Sequence, residues 1–90
     1  MKESAKKQAV RRLRIAAGQI GGLEKMVEND KYCIDILHQS LAVKEALSSF
    51  EGFVLKNHLA THVVKQMKSG NAKKAIGEIS SIFQLSKRKQ

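Results

Sequence analysis

Residues 33–68 read CIDILHQSLAVKEALSSFEGFVLKNHLATHVVKQMK, with no proline and with Gly52 as the one weak point for a helix. Apolar side chains recur through this stretch at helical steps. Ile34, Leu37 and Leu41 lie on one stripe, and Ile36, Val43, Leu47, Phe50 and Val54 lie on another. Leu55, Leu59 and Val63 carry the pattern to its far end. No turn signal interrupts it before Ser69-Gly70-Asn71, so the simplest reading is one helix of roughly 36 residues, about 54 Å long at 1.5 Å per residue. A helix that is apolar on more than one face needs more than one partner. A chain of 90 residues cannot bury such a helix by itself, which predicts an oligomer.

Two further helices flank this one. Val10, Leu13, Ala17, Ile20, Leu23 and Val27 form an apolar stripe over residues 4–28, with Ser4 as the expected N-cap. Gly18, Gly21 and Gly22 fall inside that helix, and such a cluster predicts close approach of another backbone. Asn29-Asp30 reads as a turn, with Asp30 as the cap of the long helix. Gly70 and Asn71 suit a left-handed C-terminal cap. A third helix follows over residues 72–85, striped by Ala75, Ile76, Ile79, Ile82 and Phe83, before a basic tail at residues 86–90. The fold class is therefore all-α, with three helices in a single domain spanning residues 1–90.

Composition narrows the functional classes. The chain has 17 Lys+Arg against 8 Asp+Glu, a formal net charge of +9, which suits a polyanionic partner such as nucleic acid. No long apolar run is present, so no membrane span is expected. The opening residues MKESAKK have no apolar run behind them, so no secretory signal is expected either. With Cys33 as the sole cysteine, an internal disulfide is impossible and a reducing, cytoplasmic setting is expected.

Three residues have metal-binding chemistry. His58 and His62 are four apart, so on a helix they project from one face and suit a shared metal ion, or are simply surface histidines. Cys33 lies about 37 Å from His58 along a continuous helix. It can join them only across an antiparallel pair of helices from two chains. One thiolate and two imidazoles suit Cu(I), Zn(II), Ni(II) or Co(II). The bland alternative for Cys33 is a small buried side chain.

Basic residues crowd the first helix: Lys6, Lys7, Arg11, Arg12 and Arg14 follow Lys2, against Glu3 alone. Lys7, Arg11 and Arg14 share a face, which serves either as a phosphate-binding stripe or as a solvated surface. The helix lengths do not fit a helix-turn-helix. No catalytic motif is visible, and Gly18-Gln19-Ile20-Gly21-Gly22 has no strand before it and so is not a phosphate loop.

Three segments together resemble the CsoR/RcnR/FrmR family of metal-sensing transcriptional repressors. Residues 12–23, RLRIAAGQIGGL, resemble that family's Arg-Leu…Gly-Gln-Val…Gly helix. Tyr32-Cys33-Ile34-Asp35 resembles its Tyr-Cys-x-Asp, and Asn57-His58-Leu59-Ala60-Thr61-His62-Val63 resembles its His-Leu-x-x-Cys/His-Val. The similarity runs without gaps over nearly the whole chain. It implies a three-helix protomer that pairs into an antiparallel four-helix bundle, with two such dimers forming a tetramer. It also implies a repressor that holds operator DNA when metal-free and releases it on binding its inducer.

The resemblance further implies the site. The family's ligand positions fall on Cys33, His58 and His62, and the residues supporting them fall on Tyr32 and Glu78. This is closest to the copper-sensing branch, with His62 where that branch has a second cysteine. A thiolate fewer weakens the preference for Cu(I) over Ni(II), Co(II) or Zn(II). The nickel and cobalt sensors add an N-terminal histidine, and this chain has none before His38, which matches no ligand position. The formaldehyde sensors rely on proline at the position held here by Lys2, and the persulfide sensors need two cysteines. On the DNA face Arg12 and Arg14 match basic positions. Lys44 stands where the long helix usually carries Arg, and Ile15 and Gly21 replace basic residues.

These features predict a cytoplasmic, Cu(I)-responsive repressor, not an enzyme. Its metal ligands are Cys33, His58 and His62, supported by Tyr32 and Glu78, and its DNA contacts are Lys7, Arg11, Arg12, Arg14 and Lys44. The alternatives are a Ni(II)-, Co(II)- or Zn(II)-responsive repressor of the same family, or an architectural DNA-binding helical protein without an inducer.

Overall fold

The computed structural model describes residues 1–87, and all regular secondary structure among them is helical. Arg88, Lys89 and Gln90 of the expected basic tail lie outside the described residues. Helix α1 spans Glu3–Glu28 and α2 spans Cys33–His58. A π-helical segment, Leu59–Val63, leads directly into α3, Val64–Lys68, and α4 spans Ala72–Lys87. The backbone stays in the right-handed helical region through both junctions, at His58 and at Val63 and Val64. The long helix read from residues 33–68 is therefore present as a continuous helical path, with one local widening.

The chain forms two compact units, residues 1–55 and residues 56–90. The first is an antiparallel hairpin of α1 and most of α2. Its two helices are joined by Arg12 Nη1 donating to Ser49 Oγ at 2.6 Å and by Gln39 Nε2 donating to the Gln19 carbonyl at 3.3 Å. The buried residues of this unit are Ala5, Ala9, Ala16 and Val43. The hairpin thus closes on the alanine face of α1, where small side chains let the helices approach. Of the larger apolar stripe read on α1, Val10, Leu13, Ile20 and Val27 are exposed and Leu23 is half-buried. On α2, Val43 is buried while Ile34, Leu37 and Leu41 stay exposed, so only one of the two predicted stripes is used within the chain.

The helix ends correct two expectations. Helix α1 begins at Glu3 with Lys2 at the N-cap and no side-chain cap, so Ser4 lies inside it. Asp30 does not cap α2. It adopts φ 53° just past the end of α1, where Lys31 N–H donates to the Met26 carbonyl at 3.0 Å and Asp30 N–H to the Val27 carbonyl at 3.1 Å. That pair of bonds is the Schellman arrangement, whose left-handed position usually holds glycine. Gly70 fills the same role after α3 at φ 84°, as expected, with Asn71 N–H donating to the Gln66 carbonyl at 2.7 Å. Finally, α1 runs unbroken past Gly18, Gly21 and Gly22, and among the described residues no backbone outside α1 approaches them. A Cβ at Gly18 or Gly21 would meet nothing within 4 Å, and one at Gly22 only the Gln39 amide at 4.0 Å.

The second unit holds the π-helical segment, α3 and α4, with α4 packed on α3. Ala75 is its buried residue, at 1% exposure. Ile76, Ile82 and Leu85 are exposed, so α4, like the hairpin, leaves apolar side chains in contact with solvent. No helix among the described residues is long and apolar enough to cross a membrane.

Candidate metal centre and nucleic-acid interface

The two histidines are the part of the expected metal centre that one chain assembles. His58 is the last residue of α2 and His62 lies in the π-helical segment. In a regular α-helix, residues four apart are offset by about 40° around the axis. A π turn bonds one residue further along and is wider, so positions i and i+4 come closer to eclipsing. The imidazole centroids of His58 and His62 are 5.1 Å apart with the rings tilted by 30°. Two rings so close on one face suit a shared metal ion.

Thr61 sits between them in the chain and was not singled out by sequence reasoning. Its hydroxyl donates to the Asn57 carbonyl at 2.8 Å and lies 3.3 Å from His62 Nδ1. Threonine bonding back to the carbonyl four residues earlier competes with the helical ladder and bends helices. The signal for it was legible: a threonine four residues after Asn57 and directly before a candidate ligand.

Cys33 is the first residue of α2, a free and exposed thiol rather than a buried one. Tyr32, just before it, is 68% exposed, and its carbonyl accepts from Ile36 N–H at 3.1 Å. Glu78 is exposed on α4, and its Oε1 accepts from Gln66 Nε2 at 3.1 Å. The opposite end of that amide, Gln66 Oε1, is buried without a partner among the described residues. Among the described residues no three His, Cys, Asp or Glu side chains gather as a metal site. Of the expected ligands, His58 and His62 are the two whose rings are brought together. His38 is exposed, in line with its reading as a surface residue.

The basic residues divide into free and engaged ones. Lys7, Arg11, Arg14 and Lys44 are exposed. Arg12 is half-buried: it bonds Ser49 and its guanidinium carbon lies 4.8 Å from the centre of the Phe53 ring. With Gln8, Arg11, Ile15 and Ser49 it lines an open recess of about 250 Å³. Ser49 and Phe53 were not anticipated, because their role appears only when the hairpin brings α2 alongside α1.

Comparison with known proteins places this arrangement. The family model described as metal-sensitive transcriptional repressor matches residues 5–85. The copper-sensing transcriptional repressor CsoR of Bacillus subtilis (strain 168) is 40% identical over 78 residues, covering 87% of this chain and 77% of that protein. CsoR of Mycobacterium ulcerans is 35% identical over 82% of this chain, which spans 63% of its length. The copper-sensing repressor RicR of Mycobacterium tuberculosis is 43% identical over 67% of this chain and 62% of its own. Among solved structures, the copper-sensing repressor CsoR with Cu(I) from Geobacillus thermodenitrificans NG80-2 superposes with a TM-score of 0.88 at 29% identity, covering 94% of this chain and 88% of that one. These relatives are repressors rather than enzymes, as the lack of a catalytic motif suggested. The helical framework and the paired histidines thus belong to a chain of the metal-sensitive transcriptional repressor family, matched by relatives of its copper-sensing branch.

Proposed function

We propose that this chain is a Cu(I)-responsive transcriptional repressor that holds operator DNA when metal-free and releases it when the metal binds. The observation that carries the reading is the pair of imidazoles 5.1 Å apart at the π turn, in a chain whose relatives sense copper. Cys33 of one protomer and His58 and His62 of the partner subunit would hold the ion. The placement of Cys33 at the first and His58 at the last residue of the 26-residue α2 supports a site completed between chains. When bound, Cu(I) supplies differential binding energy between the DNA-holding and DNA-releasing states, and 1–3 kcal/mol per site is typical of such coupling.

The chain's own residues supply the rest. Tyr32 and Glu78 support the ligands, and Glu78 sits on α4, which its bond to Gln66 ties to α3. Drawing Glu78 toward the ligands would shift α4 and so transmit binding. Lys7, Arg11, Arg12, Arg14 and Lys44 face the DNA phosphates as one metal-sensing and DNA-binding domain, residues 1–90, in the cytoplasm. The exposed stripe of Ile34, Leu37 and Leu41 supports pairing through the long helices into an antiparallel four-helix bundle, and thence a tetramer.

The test is the anisotropy of labelled DNA from the chain's own promoter, with protein bound, titrated without oxygen by Cu(I), Ni(II), Co(II) and Zn(II). Release by about one Cu(I) per protomer, and by none of the others, is expected. Release by another of these ions instead would assign that ion as inducer. DNA retained through every titration would leave an architectural DNA-binding protein.

A further inference from the structure

We propose that Thr61 is the positioning residue of the two-histidine half-site: it opens the helix so that His62 comes into register with His58, and it fixes His62 with the proton on Nδ1 and the lone pair on Nε2. This deepens the metal reading above and rests on it for the ligand role of His62.

A single hydroxyl proton sets the direction of both contacts. A threonine hydroxyl has one hydrogen to donate and lone pairs with which to accept. The Thr61 hydroxyl lies 2.8 Å from the Asn57 carbonyl. A carbonyl only accepts, so the Thr61 proton is committed there. The contact between Thr61 Oγ1 and His62 Nδ1 at 3.3 Å must then run the other way, with Nδ1–H donating to the hydroxyl oxygen. In the neutral ring one nitrogen is a donor and the other an acceptor, so a proton held on Nδ1 leaves Nε2 with the lone pair a metal needs. Groups that bind the non-ligating nitrogen of a histidine in this way fix its tautomer and ring orientation.

The same hydroxyl explains the local backbone. Its bond to the Asn57 carbonyl takes up an acceptor of the helical ladder where the chain widens into the π-helical segment Leu59–Val63. The widening brings His62 toward eclipsing His58, and the rings come to 5.1 Å. One side chain thus sets both the azimuth of the second ligand and the nitrogen it presents. The nearest alternative for that contact, the hydroxyl donating to a bare Nδ1, would leave the Asn57 bond without its proton.

Two variants test it. Thr61→Val keeps the branched shape and removes the hydroxyl; Thr61→Ser keeps the hydroxyl. In the metal-free protein, the ¹⁵N shifts of the His62 ring report the tautomer directly. The wild type and Thr61→Ser should show the proton on Nδ1, and Thr61→Val should lose that preference. Competition for Cu(I) against a chromophoric chelator, without oxygen, should show Thr61→Val weaker by about 10–100-fold, the usual loss on removing such a supporting group. Thr61→Ser should restore most of it. A wild-type His62 with its proton on Nε2, or Thr61→Val unchanged in both measurements, would overturn the proposal. The ring measurement needs no metal, so it decides the assignment of Thr61 separately: a wild type with the proton on Nδ1 that binds no Cu(I) would strike the metal reading and leave the Thr61–His62 arrangement standing.

Discussion

Arg12 of α1 lies over the ring of Phe53 of α2, its guanidinium carbon 4.8 Å from the ring centre, while its Nη1 donates to Ser49 at 2.6 Å. A residue read from sequence as a phosphate contact is thereby also the clamp of the hairpin. The two roles are compatible, because a guanidinium has five N–H donors and the bond to Ser49 uses one of them. Phe53→Leu keeps an apolar side chain but removes the aromatic face. It should lower stability by about 0.5–1 kcal/mol, the size of a cation–π pair at an accessible site. It should also weaken DNA binding, because Arg12 loses its platform. Urea denaturation and DNA anisotropy measure the two effects. A variant that loses stability while binding DNA as tightly as the wild type would remove Arg12 from the DNA face.

How much of this could be read from the sequence depends on whether the cause was local. The long helix, the Gly70 stop and the pairing of His58 with His62 follow from spacing and from single-residue preferences, and all three are present. The apolar stripe of α1 was legible, because hydrophobicity ranks Val10, Leu13 and Ile20 above alanine, but the face that closes the hairpin was not. Packing within the hairpin instead selects Ala5, Ala9 and Ala16, whose small side chains permit close approach and leave the larger ones for another surface. The clamp at Arg12 depends on Ser49 and Phe53, nearly forty positions away, and no local pattern announces it. Thr61 was legible in principle, but only to a reading that treats the residues around a ligand as part of the site.

Asp30 and Gly70 occupy equivalent left-handed positions at φ 53° and φ 84°, and they should respond oppositely to exchange. Gly70→Ala places a Cβ in that region and should cost about 1–2 kcal/mol. Asp30→Gly relieves the same strain at the expense of a more flexible unfolded chain. It should therefore be neutral or stabilising by less than about 1 kcal/mol. Thermal melting of the two variants checks the pair. Equal destabilisation by both would mean that the Asp30 side chain contributes something the backbone geometry does not explain.

Leu37 and Leu41 are 57% and 58% exposed on a helix whose other face is engaged with α1. Burying each of these two leucines, one turn apart, is worth about 1.5–3 kcal/mol, which favours a second surface against this face. Leu41→Glu should convert the assembled protein to a smaller species, and sedimentation velocity at micromolar protein reads this directly. The same variant should lose its metal response along with its assembly, because Cys33 would no longer meet histidines from a second chain. A Leu41→Glu protein that sediments like the wild type would place the subunit interface elsewhere.

The division of the site between protomers makes a prediction that a one-chain site cannot meet. A Cys33→Ala protomer keeps both histidines, and a His58→Ala/His62→Ala protomer keeps the thiol. Each homogeneous protein should bind Cu(I) at least about 10–100-fold more weakly than the wild type, as expected when ligands are lost from a site that depends on all of them. Unfolding and refolding the two together should produce mixed dimers in which one intact site forms between the Cys33 of one subunit and the histidine pair of the other, while the second site lacks all three ligands. Tight binding should return in the mixture at one Cu(I) per mixed dimer, measured by chelator competition after separating the species with an affinity tag on one partner. Tight binding in the His58→Ala/His62→Ala protein alone would show that the histidines are not ligands. Mixed dimers that stay as weak as either parent would mean that Cys33 and the histidines serve separate purposes.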